Sequence, residues 1–125
     1  MKKEIENRED LYLLVSQFYV KLLNDDKIKH FFYDMVENDE LEDHLQILVN
    51  FWDNMLFYSG KYTRNAMRPH LLLNQTIPFA KEHFKIWLGH FHNTIDENFI
   101  GETAHAAKTR SLSVATVIEL KINEF

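Results

Sequence analysis

An all-α fold is predicted by three features of this 125-residue chain. The chain contains only three Gly and two Pro, whereas all-β folds need many tight turns. Apolar residues recur at helical spacing in several long segments, and no segment alternates as a half-buried strand does. No linker or repeat interrupts the sequence. We therefore expect four substantial helices and short helical pieces in a single domain, residues 1–125.

The first helix is predicted to end near Leu23, because Asn7 is suited to cap its start and Asn24 to Asp26 break it. Asp25 is then placed to cap a short helix that reaches Phe32. The apolar residues of the first helix recur three and four positions apart: Leu11, Leu14, Val15, Phe18 and Leu22.

Three more long helices are predicted further along the chain. The first of them starts at residues 38–40 and stops near Gly60, and its broad apolar arc suggests burial against more than one neighbour. Pro78 opens the next, which extends to about Phe99. The last is predicted from about Glu102 to Ile122. Its inward residues are predicted to be Leu112, Ala115, Ile118 and Ile122.

Composition excludes several classes of protein. The chain has 14 basic and 19 acidic residues, a net charge of −5, and no basic stripe, which argues against nucleic-acid binding. It has no cysteine, and its N-terminus turns acidic where a signal peptide turns apolar. No apolar run approaches the ~20 residues of a membrane span. We therefore expect a soluble, cytoplasmic protein that does not bind membranes.

His70 is the first candidate for chemistry, in the irregular stretch of residues 60–78. Neutral imidazole is a good iron ligand, and a single histidine can hold haem iron. Pro69 suits the first turn of a short helix, and Leu71 continues an apolar flank. The alternative is a surface histidine that makes one hydrogen bond, which spacing alone favours.

Three other side chains are candidates for contact with a ligand. Tyr19 lies on the inner stripe of the first helix, His44 at the edge of an apolar face, and Trp87 on the inner side of the fourth helix. Each also has an ordinary structural interpretation, as a core tyrosine, a boundary histidine and a packing tryptophan. His90 and His92 point to different faces of a helix, which makes them a poor metal chelate.

Several motifs together resemble a group III truncated hemoglobin. The resemblance covers roughly residues 8–122. It rests on Phe18-Tyr19, on Phe32 after the short helix, on His44 followed by Phe51-Trp52, on Gly60-Lys61-Tyr62 through Arg68-Pro69-His70-Leu71, and on Phe84-Lys85-Ile86-Trp87-Leu88. Each motif is weak alone, and their order and spacing together are more specific.

The resemblance implies a two-over-two helical sandwich around haem b, with His70 as the proximal ligand of a five-coordinate iron. Tyr19, His44 and Trp87 would then surround the distal ligand site. The apolar residues expected against the haem are Phe18, Phe32, Leu48, Phe51 and Leu71, and those expected near its propionates are Tyr62, Arg64 and Arg68.

The expected function is binding of dioxygen, NO and CO in a polar distal pocket. We expect the protein to be a monomer and a reductase to be its partner. Two alternatives stay open. One is a haem enzyme of peroxidase or nitric-oxide-dioxygenase type, so whether the chain is an enzyme is undecided. The other is a helical interaction domain without a cofactor.

Overall fold

The computed structural model describes residues 2–57 and 81–122, with side chains as far as residue 118. These ranges contain five α-helices and one 3-10 helix. They are α1 (Arg8–Leu23), the 3-10 helix (Lys29–Phe32), α2 (Tyr33–Glu37), α3 (Leu41–Phe57), α4 (Lys81–Asn98) and α5 (Glu102–Ile122). Within the same ranges, the one strand-like pairing is an isolated bridge between Lys3 and Phe99. The all-α prediction is confirmed.

The long helices form two packed pairs, one over the other. Helix α1 packs on α3, and α4 packs on α5, while α1 also contacts α4 and α3 contacts α5. All of them contribute to one hydrophobic core. Burial of this apolar surface is the main source of folding free energy. The arrangement agrees with the predicted two-over-two sandwich, while one domain over residues 1–125 stays a prediction.

Helix α1 begins and ends where its sequence predicts. The side chain of Asn7 accepts a hydrogen bond from the backbone N–H of Asp10 at 2.9 Å, and the helix ends at Leu23. Asp25 then accepts from the N–H of Lys27 at 2.9 Å, which forms a side-chain-capped turn rather than the start of an α-helix. The buried residues of α1 are Leu11, Leu14, Val15, Phe18, Tyr19 and Leu22.

The segment between α1 and α3 differs from the prediction. A 3-10 helix reaches Phe32 and α2 follows it, where one short helix was expected. Helix α2 ends at Glu37. Two residues later Asp39 has a left-handed φ of 57°, and the N–H of Glu40 donates to the carbonyl of Met35 at 2.8 Å. This is a Schellman ending with Asp in the position that favours glycine. It turns the chain directly into α3.

The predicted inward position of Leu112 in α5 is wrong, because this side chain is 54% exposed. The predicted inward positions of Ala115 and Ile118 are confirmed, and Ala104, Ala107 and Ser111 are buried with them. The side chain of Ile122 lies outside the described residues. Leu112 follows Ser111 directly, so it lies about 100° around the helix from the buried face. The small side chains of the buried stripe let α5 approach its neighbours closely.

The N-terminal segment is hydrogen-bonded to the start of α5, next to the corner between α4 and α5. The carboxylate of Glu4 accepts hydrogen bonds from the N–H groups of Glu102, Thr103 and Ala104 at 2.9, 2.8 and 3.1 Å. A carboxylate is favourable here because it offsets the positive end of the helix dipole. Gly101 has a φ of 116°, and a Cβ there would overlap the Glu4 carboxylate. Among the described helices, none is long and apolar enough to cross a membrane.

Candidate functional site

A buried tyrosine and a partly buried histidine form the centre of the candidate site. The hydroxyl oxygen of Tyr19, on α1, lies 2.7 Å from Nε2 of His44, on α3. Tyr19 is only 2% exposed. The two residues come from helices that pack on each other. Tyr19 lies on the buried face of α1, and His44 is partly buried, as expected for a residue at the edge of the apolar face of α3. The structure thus brings together two of the predicted candidates in one hydrogen bond.

Burial also fixes the protonation state of Tyr19. The loss of solvation raises the pKa of the Tyr19 hydroxyl well above its ordinary value. The side chain therefore stays a neutral phenol at physiological pH. A neutral phenol keeps one proton to donate, and its oxygen can accept a second hydrogen bond.

Aromatic rings pack against Tyr19. Phe32, at the end of the 3-10 helix, meets Tyr19 edge to face with the ring centroids 5.5 Å apart. Phe18 meets Tyr19 at 5.4 Å and Trp87 at 5.5 Å, both edge to face. Tyr19 and Trp87 thus share Phe18 as a neighbour. The third predicted distal candidate, Trp87, lies in the same aromatic cluster and is 9% exposed.

Phe91 and Trp52 belong to the same aromatic cluster and were not predicted as site residues. Phe91 stacks nearly parallel to Trp87, with centroids 6.1 Å apart, and Trp52 stacks on Phe91 with centroids 5.2 Å apart. Phe91 lies one turn after Trp87 on α4, so helical spacing was the available signal. The stack connects α4 to α3 and holds the indole ring of Trp87 in place.

The predicted lining residues on α3 share a face with His44. Leu48 and Phe51 follow His44 by four and seven positions, which places all three along one side of the helix. Both are partly buried and pack against the hydrophobic core. The face that presents the imidazole is therefore otherwise apolar, as a site for a flat, largely apolar group requires.

The remaining predicted site residues lie outside the described residues. They are Tyr62, Arg64, Arg68, His70 and Leu71. Their roles stay predictions, as do the predicted helix boundaries at Gly60 and Pro78. Within residues 2–57 and 81–122, no group of three or more His, Asp or Glu could hold a metal ion.

Comparison with known proteins identifies the family. A family model for bacterial-like globins matches residues 4–120. The group 3 truncated hemoglobin ctb of Campylobacter jejuni subsp. jejuni serotype O:2 is 29% identical over 118 residues, which cover 93% of this chain and 91% of the relative.

A structural comparison agrees. The crystal structure of the group III truncated hemoglobin from Campylobacter jejuni matches with a TM-score of 0.84 and 27% identity, and the match covers 98% of this chain and 95% of that chain. The resemblance to group III truncated hemoglobins and the predicted globin fold are confirmed. This chain belongs to the bacterial-like globin family.

Proposed function

We propose that this chain binds haem b, with His70 as the proximal iron ligand, and that its distal pocket binds dioxygen and related diatomic gases. Membership of the globin family implies haem binding. One observation supports the rest of the proposal most strongly. It is the hydroxyl of the buried Tyr19, which lies 2.7 Å from Nε2 of His44 while the Tyr19 ring packs against Phe18 and Phe32.

The described residues suit a haem group. A porphyrin needs apolar contacts over its faces and a few polar groups at the iron. Tyr19, His44 and Trp87 provide polar atoms from three different helices. In this proposal the apolar contacts come from Phe18, Phe32, Leu48, Phe51 and Leu71, and Tyr62, Arg64 and Arg68 lie near the propionates.

Haem, held by His70, would supply the iron at which a diatomic gas binds. Tyr19 acts on that gas through its hydroxyl proton, and the His44 tautomer decides where the proton points. If Nε2 of His44 carries a proton, it donates to the Tyr19 oxygen, and the Tyr19 hydroxyl then donates into the pocket. If Nε2 lacks it, Tyr19 donates to His44 instead. We infer that, when a ligand is present, Nε2 of His44 carries the proton and the Tyr19 hydroxyl donates to the ligand.

Trp87 provides a second donor on the opposite helix layer. Its indole N–H can only donate, so the ring is suited to a ligand that carries negative charge. The stacking of Trp87 on Phe91 fixes the plane of the ring. Two fixed donors slow the release of a ligand that has taken on negative charge, so the pocket suits retention or activation of dioxygen better than its transport.

Reaction of the held gas, with peroxide or nitric oxide as co-substrate, is the second candidate function. The same polar donor set favours it, because donors to a charged ligand also assist its chemical conversion. Turnover of nitric oxide or peroxide by the haem-loaded protein with a reductase present separates this function from simple binding.

The proposal is tested by absorption spectra of the purified protein in its ferric, ferrous and CO-bound forms. We expect one haem per chain, a histidine-ligated ferrous spectrum and a CO complex. A folded protein that stays colourless after haem is added would contradict the proposal and favour a helical interaction domain without a cofactor.

A further inference from the structure

A contact between a histidine and a carboxylate lies outside the proposed ligand pocket. Nε2 of His90, on α4, lies 2.7 Å from Oδ2 of Asp25 in the turn after α1. The side chains are 24% and 22% exposed, so the pair is partly shielded from solvent. The hydrogen bond to His90 is the largest cause that lowers the pKa of the Asp25 carboxyl, followed by the one from Lys27. Asp25 is therefore ionised at neutral pH and binds His90 through a charged acceptor.

The two oxygens of Asp25 have separate partners. Oδ1 accepts from the backbone N–H of Lys27 and shapes the turn, whereas Oδ2 contacts His90. The Asp25 carboxylate therefore stabilises the turn and also connects it to α4 by a hydrogen bond. The pair lines a surface groove of about 550 Å³ whose other charged residues are Lys21, Asp26, Lys27 and Glu97. Lys21 and Glu97 form an ion pair with each other at 2.8 Å. Asp25 contacts α4 through His90.

The turn leads directly to the wall of the ligand pocket. Seven residues after Asp25, the ring of Phe32 packs against Tyr19. On the other side of the contact, His90 lies one helical turn after Trp87. The Asp25–His90 contact therefore joins the segment that ends at Phe32 to the helix that carries Trp87. Phe31 makes a second contact with the same helix, against His83 at 4.8 Å.

We propose that His90 is a positioning residue for the distal pocket. It acts through Asp25 to hold Phe32 and Tyr19 in their positions relative to Trp87. The inference rests on the proposed function. Hydrogen bonds weaken steeply when their angle is distorted. If the turn is released, Phe32 and then Tyr19 sample a wider range of positions, and donation from Tyr19 to a ligand becomes less well aligned.

The test uses the haem-loaded full chain with CO and dioxygen as probes. The variants His90→Ala and Asp25→Ser each break the contact, and a serine hydroxyl still accepts from Lys27 to keep the turn. His90→Gln retains a donor at the position of Nε2. His105→Ala is the matched control, because His105 is an exposed histidine on α5. The measurements are the infrared CO stretch, which reports the polarity around the ligand, and the rate of dioxygen release.

We expect His90→Ala and Asp25→Ser to shift the CO stretch and to speed dioxygen release about two- to fivefold, as for other partly exposed charged contacts. The double variant should release dioxygen no faster than either single variant, because both remove one contact. His90→Gln should restore both readings, and His105→Ala should change neither. A folded His90→Ala or Asp25→Ser variant with wild-type readings would overturn the proposal. Equal shifts in His90→Ala and His90→Gln would also overturn it.

A parallel Tyr19→Phe variant separates this inference from the proposed function. If that variant shifts the CO stretch and the His90 and Asp25 variants do not, the positioning role fails and the polar pocket stands. If Tyr19→Phe leaves the CO stretch unchanged, the polar pocket itself fails, and with it the role of His90.

Discussion

Removal of one oxygen atom from Tyr19 is the most informative single change in the candidate pocket. Tyr19→Phe keeps the ring that packs between Phe18 and Phe32 and deletes only the hydroxyl. Tyr19 as a whole is 2% exposed, so water has little access to replace the hydroxyl as a donor. We therefore expect a marked effect on ligand release and a small effect on packing.

The size of the effect follows from the charge on the ligand. A hydrogen bond to a charged group contributes about 1.5–3 kcal/mol, against about 0.5–1.5 kcal/mol for a neutral one. Dioxygen held at an iron draws negative charge, so we take the higher range. At 1.4 kcal/mol per decade, dioxygen release should accelerate roughly ten- to a hundredfold in Tyr19→Phe. The loss of the contact with His44 should cost about 0.5–1.5 kcal/mol of folding stability, because His44 is only partly buried.

Stopped-flow displacement of dioxygen measures the release rate directly. Tyr12→Phe is the matched control, since it removes a hydroxyl from the same helix. The Tyr12 hydroxyl is exposed and donates to Glu42 at 2.8 Å. We expect the control to release dioxygen at the wild-type rate. A Tyr19→Phe rate within the scatter of the control, in a variant that unfolds cooperatively, would remove Tyr19 from the mechanism.

Three further predictions concern stability. Gly89→Ala should stabilise the protein by about 0.5–1 kcal/mol in denaturant unfolding, because Gly89 lies inside α4 and an added Cβ meets nothing within 4 Å; a lower midpoint would show an unseen clash. Glu4→Ala should destabilise the protein by about 1–2 kcal/mol, since three N–H groups of α5 lose their acceptor. An unchanged unfolding midpoint would show that the hydrogen bonds from α5 to Glu4 do not stabilise the fold. The folded-state pKa of Asp25 lies below its ordinary value of 3.8, so its stabilisation is present above that pH and is lost as the pH falls through the folded-state pKa. The stability difference between wild type and Asp25→Ser should therefore shrink below about pH 4 in unfolding curves, and a difference that grows there would contradict the assignment.

Local signals in the sequence predicted the parts of the fold that local interactions determine. Helix α1 begins after Asn7 and ends at Leu23 because a side-chain cap and a break in the apolar pattern mark its ends. The position of Leu112 was wrong because α5 is rich in small residues, and small side chains leave the apolar period ambiguous. Which stripe of α5 is buried depends on how closely neighbouring helices can approach.

In the candidate site, too, local spacing predicted which residues are buried but not which residues meet. Helical spacing placed Tyr19 and Trp87 on inner faces, which their burial confirms. Spacing alone did not bring Tyr19 to His44, because that contact joins residues 25 positions apart on crossing helices. The contact between Asp25 and His90 spans 65 positions and follows from the packing of α4 on the turn. The resemblance to a known family, rather than periodicity, grouped the distal candidates.

The most direct test that His70 is the iron ligand is the absorption spectrum of His70→Gly, with and without added imidazole. We expect the ferrous spectrum to lose its histidine-ligated form in the variant and to regain it when imidazole fills the space of the missing side chain. A variant that binds haem with its axial coordination unchanged would contradict the claim that His70 holds the iron.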